Sequence, residues 1–326
     1  MHALASTPGR RRWVKHLIVL SLFVAVPACS RITCSQKRRR AIEFMNLGVK
    51  AYQDGLAVRA QRQLKRAVRE DDSYVTAHYN LAKVYQDLKK WEPASRQLVR
   101  VTSMEPKNAR ALYDLGTCYQ NLKRYDLSRD AYNKALGIQP KLYVAHYRLG
   151  TIAETQDKPK EADGHYRKAI QINARFVKPF VKLGLLYLNY DYPDLAMQVM
   201  KSAVAINKDS GEAYNALGAA YQLLKQYDKA AAAFKVALEN QPGLYDAMYN
   251  RGMALAAAGK TKEAEKALRV FIRAARGKKS VDQEFIHAAQ DKISEMYGQE
   301  HGPESVKPTA LPNKKGGASA LPKKPH

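Results

Sequence analysis

Residues 109–142 read ARALYDLGTCYQNLKRYDLSRDAYNKALGIQPKL, and the same 34-residue frame recurs on both sides of them. With Ala41 as position 1, position 8 runs Gly48, Ala82, Gly116, Gly150, Gly184, Gly218 and Gly252. Position 20 runs Ala60, Ala94, Ser128, Ala162, Ala196, Ala230 and Ala264, and position 27 is Ala67, Val101, Ala135, Ala169, Ala203, Ala237 and Phe271. Position 7 is leucine from Leu47 to Leu217 and then Arg251. Seven frames run from Ala41 to Lys278 without an insertion or deletion. A fixed period of this length signals a stacked-repeat architecture.

Positions 4, 7, 8 and 11 share one face of a helix, and 20, 24 and 27 share a face of a second. Small residues at 8 and 20 allow close approach of the two helices, and the small residue at 27 allows the next frame to stack. Larger side chains such as Leu64, Tyr85, Tyr119, Tyr132, Tyr187, Tyr221 and Phe234 fill the space left. Pro106, Pro140 and Pro242 at position 32 stop the second helix before the next frame starts. A single frame cannot bury its own apolar face, whereas seven stacked frames can.

The Leu-Gly pair, the aromatic, the Ala and the closing Pro at this spacing resemble the tetratricopeptide repeat (TPR), over about 238 of the 326 residues. The resemblance implies an all-α fold: a right-handed superhelix of seven helix hairpins over residues 41–278, with a concave groove lined by the first helices. Ala174, Lys208 and Arg276 depart from Pro at position 32. Residues 279–297 read as a capping helix with Val281, Phe285, Ala288, Ala289 and Ile293 on its buried face. Residues 298–326, with five Pro and five Lys and no tyrosine, tryptophan or phenylalanine, read as a disordered basic tail.

The N-terminus carries a different signal. Arg10, Arg11, Arg12 and Lys15 precede the apolar run Leu17–Val26. A membrane span needs about 20 residues, so this shorter run fits the core of a signal peptide. Val26-Pro27-Ala28-Cys29 resembles the lipobox of bacterial lipoproteins, which implies a signal peptide over 1–28 and lipidation of Cys29. Ser30, following it in place of aspartate, points by family analogy to the outer membrane, facing the periplasm. Residues 29–40 read as a basic, disordered linker. Lys37-Arg38-Arg39-Arg40 close behind the apolar run would resist translocation. An uncleaved signal anchor and a chance apolar stretch therefore stand as alternatives, and export by the general or the twin-arginine route is open.

The net charge of +25 first suggests nucleic acid. Residues 1–40 contribute +9 and residues 298–326 contribute +3, however, and the remaining charge is spread along the repeats. A nucleic-acid footprint would gather on one face. No phosphate loop, nucleotide fingerprint, nucleophile elbow or HExxH is present, so no enzyme, cofactor or metal is expected. His78 and His146 at position 4, Cys118 at position 10 and Trp91 in a turn read as packing residues.

The resemblance places positions 2, 5, 6, 9, 12 and 13 of the first helices in the groove. The partner-facing residues expected there are Tyr79, Asn80, Arg110, Tyr113, Tyr147, Arg148, Lys178, Lys182, Tyr249 and Asn250. Tyrosine is a rigid amphipathic contact residue and asparagine can bond a peptide backbone at both ends of its amide. Both are also ordinary choices of the repeat itself. Arg110, Arg148, Lys178 and Lys182 would suit an acidic or carboxylate-bearing ligand, and a solvated charged face would look the same. A signal peptide with lipobox ahead of such repeats is similar in architecture to pilotin lipoproteins, which assist assembly of pilus secretins. The expectation is a non-catalytic protein-binding scaffold of the bacterial envelope, with a general membrane-anchored adaptor without a secretin role as the alternative.

Overall fold

The computed structural model describes residues 36–278 and 281–301. The signal peptide, Cys29, most of the linker and the tail beyond His301 lie outside the described residues. The described residues hold fifteen α-helices and no strand. They fall into two compact units divided after Ala174.

The first unit contains α1 (Gln36–Gln53), α2 (Ala57–Glu70), α3 (Val75–Asp87), α4 (Trp91–Met104), α5 (Ala109–Asn121), α6 (Tyr125–Ile138), α7 (Tyr143–Thr155) and α8 (Pro159–Ile172). The second contains α9 (Val177–Asn189), α10 (Pro193–Ile206), α11 (Gly211–Leu223), α12 (Tyr227–Asn240), α13 (Tyr245–Ala257), α14 (Thr261–Ala275) and α15 (Gln283–His301). Odd and even helices up to α14 pair as hairpins, and within each unit successive hairpins stack. First helices begin at Val75, Ala109, Tyr143, Val177, Gly211 and Tyr245, each 34 residues after the last. Each unit is thus a solenoid of helix hairpins, and the repeat period is also the structural period.

Position 8 meets position 24 of the same hairpin. A Cβ on Gly116 would lie 2.7 Å from the Tyr132 ring, and one on Gly218 would lie 2.6 Å from Phe234. Tyr132, Tyr166 and Phe234 are completely buried behind these glycines. Interiors this dense tolerate little added volume, so the missing side chain at 8 is the complement of the large one at 24.

The turn inside each hairpin is equally uniform. Position 15 has positive φ in all seven: Gly55, Lys89, Lys123, Asp157, Asp191, Lys225 and Gly259. The next residue donates its N–H back to position 11, as in Lys90 to Tyr85 O at 2.8 Å and Gln226 to Tyr221 O at 2.9 Å. This is the six-to-one bond of a Schellman motif, which satisfies carbonyls the helix end leaves open. Pro159 and Pro193 open α8 and α10, where a missing N–H is harmless.

Three expectations need correction. The linker does not extend to residue 40, because α1 begins at Gln36. Arg38 is tied to Asp71 at 2.7 Å and lies 4.7 Å from the Tyr74 ring centroid, so the basic run is anchored to the first hairpin. Leu47 is 51% exposed although it occupies position 7. Leu81, Leu115, Leu149, Leu183 and Leu217 are buried at that position, and no hairpin precedes Leu47 among the described residues. The capping helix buries Ile286, Ala289, Ile293 and Met296, a stripe that excludes Phe285, which is 47% exposed. None of the described helices is long and apolar enough to cross a membrane.

Candidate functional site

Positions 5, 9 and 12 or 13 form one stripe along a first helix, because residues three and four apart share a face. In the first unit this stripe is a polar network joining successive hairpins. Tyr79 on α3 donates to Asp114 Oδ2 on α5 at 2.8 Å, and Lys83 Nζ lies 3.3 Å from Asp114 Oδ1. Gln86 donates to the Asp114 backbone oxygen at 3.1 Å and to Cys118 Sγ at 3.2 Å. Asp114 and Gln86 are buried, so these bonds compensate polar groups withdrawn from water. Burial, with the Asp114 carboxylate, raises the Tyr79 hydroxyl well above the ordinary phenol range, and Arg110 pulls it partly back. The phenol therefore stays protonated and acts as a donor.

One hairpin further on, the charge of Arg148 on α7 is favoured by Tyr113 of α5, and its guanidinium carbon lies 6.0 Å from the Tyr147 ring centroid. Gln120 donates to Thr151 Oγ1 at 2.9 Å and accepts from Tyr132 at 3.1 Å. Tyr113 stacks at a tilt on Tyr132, with centroids 5.5 Å apart, and Tyr147 on Tyr166 at 6.0 Å. Asn80 is buried, while Arg110 is exposed.

The corresponding stripe of the second unit is mostly apolar, with Asn189, Asn215 and Gln222 as its polar members. It carries Val181, Leu185 and Leu188 on α9, Ala219 and Leu223 on α11, and Met253 and Ala256 on α13. Leu185 is 36% and Leu223 51% exposed. The side-chain oxygen of Asn215, at position 5, is buried with no hydrogen-bond partner among the described residues. Lys178 is exposed and Lys182 half-buried, one turn apart on α9. Tyr249 is engaged within the unit: its ring lies 5.4 Å from Phe271 and 5.1 Å edge-on from Phe285. Asn250 beside it is half-buried.

Models of the tetratricopeptide repeat match residues 109–142, 143–176, 211–244 and 246–275. The chain is a tetratricopeptide-repeat protein. Its fold is shared with the C-terminal part of a TPR protein from Cytophaga hutchinsonii, 19% identical with a TM-score of 0.58 over 69% of this chain and 89% of that one. A TPR protein from Parabacteroides merdae is 15% identical with a TM-score of 0.57, covering 79% and 99%. PilF from Pseudomonas aeruginosa is 19% identical with a TM-score of 0.55, covering 65% and 97%. At such identities the likeness is one of fold. No curated protein sequence matches the chain.

Of the residues predicted to line the TPR groove, Tyr79 feels the charge of Arg110, and Arg148 is influenced by Tyr113. The reading of the sequence missed Asp114, Lys83 and Gln86, which organise the first of these clusters. The signal was present in the repeat: Tyr79 and Asp114, like Tyr113 and Arg148, are 35 residues apart, position 5 of one frame facing position 6 of the next. Cys118 is buried and its thiol is pushed up to about 11 by that burial, which leaves it protonated and inert. His78 is buried, with ring nitrogens 2.8 Å from Gln97 Oε1 and 2.9 Å from the Asp72 carbonyl oxygen. His146 and His165 approach at 3.3 Å through their Nδ1 atoms. Among the described residues no group of three or more His, Cys, Asp or Glu is placed to hold a metal ion.

Proposed function

We propose that this chain is a non-catalytic scaffold of the bacterial cell envelope, binding a partner polypeptide along the groove face of its first helices and held at a membrane through Cys29. Tetratricopeptide repeats present such faces to peptide and protein partners. The observation that carries the reading is the bonding of polar side chains across successive first helices in the first unit. Tyr79, Lys83 and Asp114 are held by one another rather than by water, so a guest meets groups already fixed in place. Preorganisation of this kind lowers the entropy lost on binding. Arg110 and Lys178, both exposed, add cations suited to an acidic or carboxylate-bearing partner.

Anchorage is supported by the apolar run Leu17–Val26 and the lipobox-like Val26-Pro27-Ala28-Cys29. A leader of that type ahead of TPR hairpins favours an assembly factor for a secretin or pilus-type machine at the outer membrane; an envelope adaptor with another client is the second reading.

A photo-crosslinking amino acid placed at Arg110 or Lys178 should capture a protein partner in cells, and one placed at Val99 or Lys134 on second helices should not. Capture from the second helices alone would sink the groove reading. Incorporation of labelled palmitate, lost in Cys29→Ala, tests the anchor independently.

A further inference from the structure

The first hairpin differs in charge and surface from the six that follow. Helices α1 and α2 carry ten Lys and Arg against Glu43, Asp54 and Glu70. On α2, Arg59, Arg62, Lys65, Arg66 and Arg69 occupy one arc opposite the buried Ala60, Leu64 and Ala67, with Val58 inside that arc. The acids at the C-terminal end of α2 are already engaged. Glu70 faces Arg40 at 3.7 Å, Asp71 pairs with Arg38, and Asp72 pairs with Arg100 and contacts His78. Lys37, Arg39, Lys50, Arg59, Arg62 and Arg69 are exposed and make no ion pair among the described residues.

Two features separate this surface from an ordinary solvated face. Every later second helix has an acid in its first turn: Glu92, Asp126, Glu161, Asp194, Asp228 and Glu263. Helix α2 opens Ala57-Val58-Arg59 and has none, which sets a cation against the positive end of its own dipole. A local rule broken in one copy of a repeat marks a place where another demand overrides it. The second feature is apolar. Leu56 and Val58 are 47% and 64% exposed, at positions where later hairpins use residues such as Glu92 and Arg124, or Asp228 and Lys260, as ion pairs between neighbours.

We infer that the α1–α2 hairpin is a docking surface for an anionic lipid membrane, with its cations on the headgroups and Leu56 and Val58 in the interface. Basic residues surrounding exposed aliphatic ones suit a lipid interface, which rewards both. A nucleic acid would use the cations and leave the aliphatic side chains without a partner. The position in the chain agrees. Nine residues separate Val26 from Gln36, and a fully extended strand of that length reaches roughly 30 Å. The inference shares with the proposed function the reading of residues 17–26 as membrane-directed, but its test removes that segment's contribution.

In the full chain, Leu20→Asn and Phe23→Asn disable the apolar leader, and binding is read by flotation with vesicles of phosphatidylcholine alone or with phosphatidylglycerol. The leader-disabled chain should float with the anionic vesicles and not with the neutral ones. Adding Arg59→Gln, Arg62→Gln and Arg69→Gln should weaken this on the order of 100-fold. Adding Leu56→Ser and Val58→Ser should weaken it about 10-fold. All five positions are exposed, so far-ultraviolet circular dichroism should be unchanged and a loss of binding is not a loss of fold. Undiminished flotation of both variants, equal binding to neutral vesicles, or tighter binding to duplex DNA than to anionic vesicles at the same salt each overturns the inference. None of these outcomes bears on whether the groove of the first helices holds a polypeptide.

Discussion

The two units are built from the same 34-residue frame, yet they use the same stripe of their first helices in opposite ways. In the first unit Tyr79, Lys83, Asp114 and Gln86 knit neighbouring hairpins through hydrogen bonds. In the second, Val181 stands at the place of Tyr79, and Leu185, Ala219 and Met253 at the place of Lys83. Core positions tolerate little variation because each must complement another at contact distance, as Gly116 does Tyr132. The stripe escapes that constraint, so it can be polar in one stretch and apolar in another without disturbing the stack. The same frame thereby presents two chemistries, one in each unit.

The sharpest way to break this contrast is to exchange position 6 between units. Ala216 is the second unit's counterpart of Asp114 and is buried. Ala216→Asp should destabilise by about 3 kcal/mol or more, since no cation there is arranged to receive the carboxylate. Asp114→Ala should cost about 2 kcal/mol by stranding Tyr79 and Lys83, and Lys83→Met in the same background should recover part of it. Urea unfolding followed by circular dichroism measures both, and equal small effects would show that the two stripes are energetically alike. A smaller effect is expected on binding. Lys178→Glu with Lys182→Glu should weaken an acidic peptide about 10-fold on a peptide array, and retention of full binding rejects the acidic-ligand reading.

The smallest effect is seen only in acid. Burial, and then the charge of His165, holds His146 down to about 4 from an ordinary 6.5. The native ring stays neutral where the unfolded chain takes up a proton. Its contribution is therefore fully present above about 6.5 and is lost as pH falls from there toward about 4. Urea midpoints near pH 7 and near pH 5 should differ less in His146→Leu than in the unsubstituted chain, leucine being the residue Leu112 supplies at that position.

What was legible in the sequence divides along the same physical line. The hairpins could be read because Gly, Ala and Leu recur where backbones touch, and the helix starts follow that period from Val75 to Tyr245. Places with only one neighbour were harder. Leu47 shares its position with five buried leucines and is exposed, with no hairpin before it among the described residues; α15 packs on one side only among them, and its register was misread at Phe285. Tyr79 was singled out in the sequence, but Asp114, to which it donates, was passed over. Its part depends on a contact between frames, which a reading down each column of the repeat does not reveal.

The uniform hairpin has a consequence for the order in which the chain becomes structured. Within each unit every helix touches its neighbours in sequence, so no contact there waits for a distant segment to arrive. Low contact order makes folding fast and local. A chain emerging from the ribosome meets its own contacts in the order in which they appear. α1 and α2 can close while the residues of α14 are still inside, and no long unfolded stretch is left open to proteases or to aggregation.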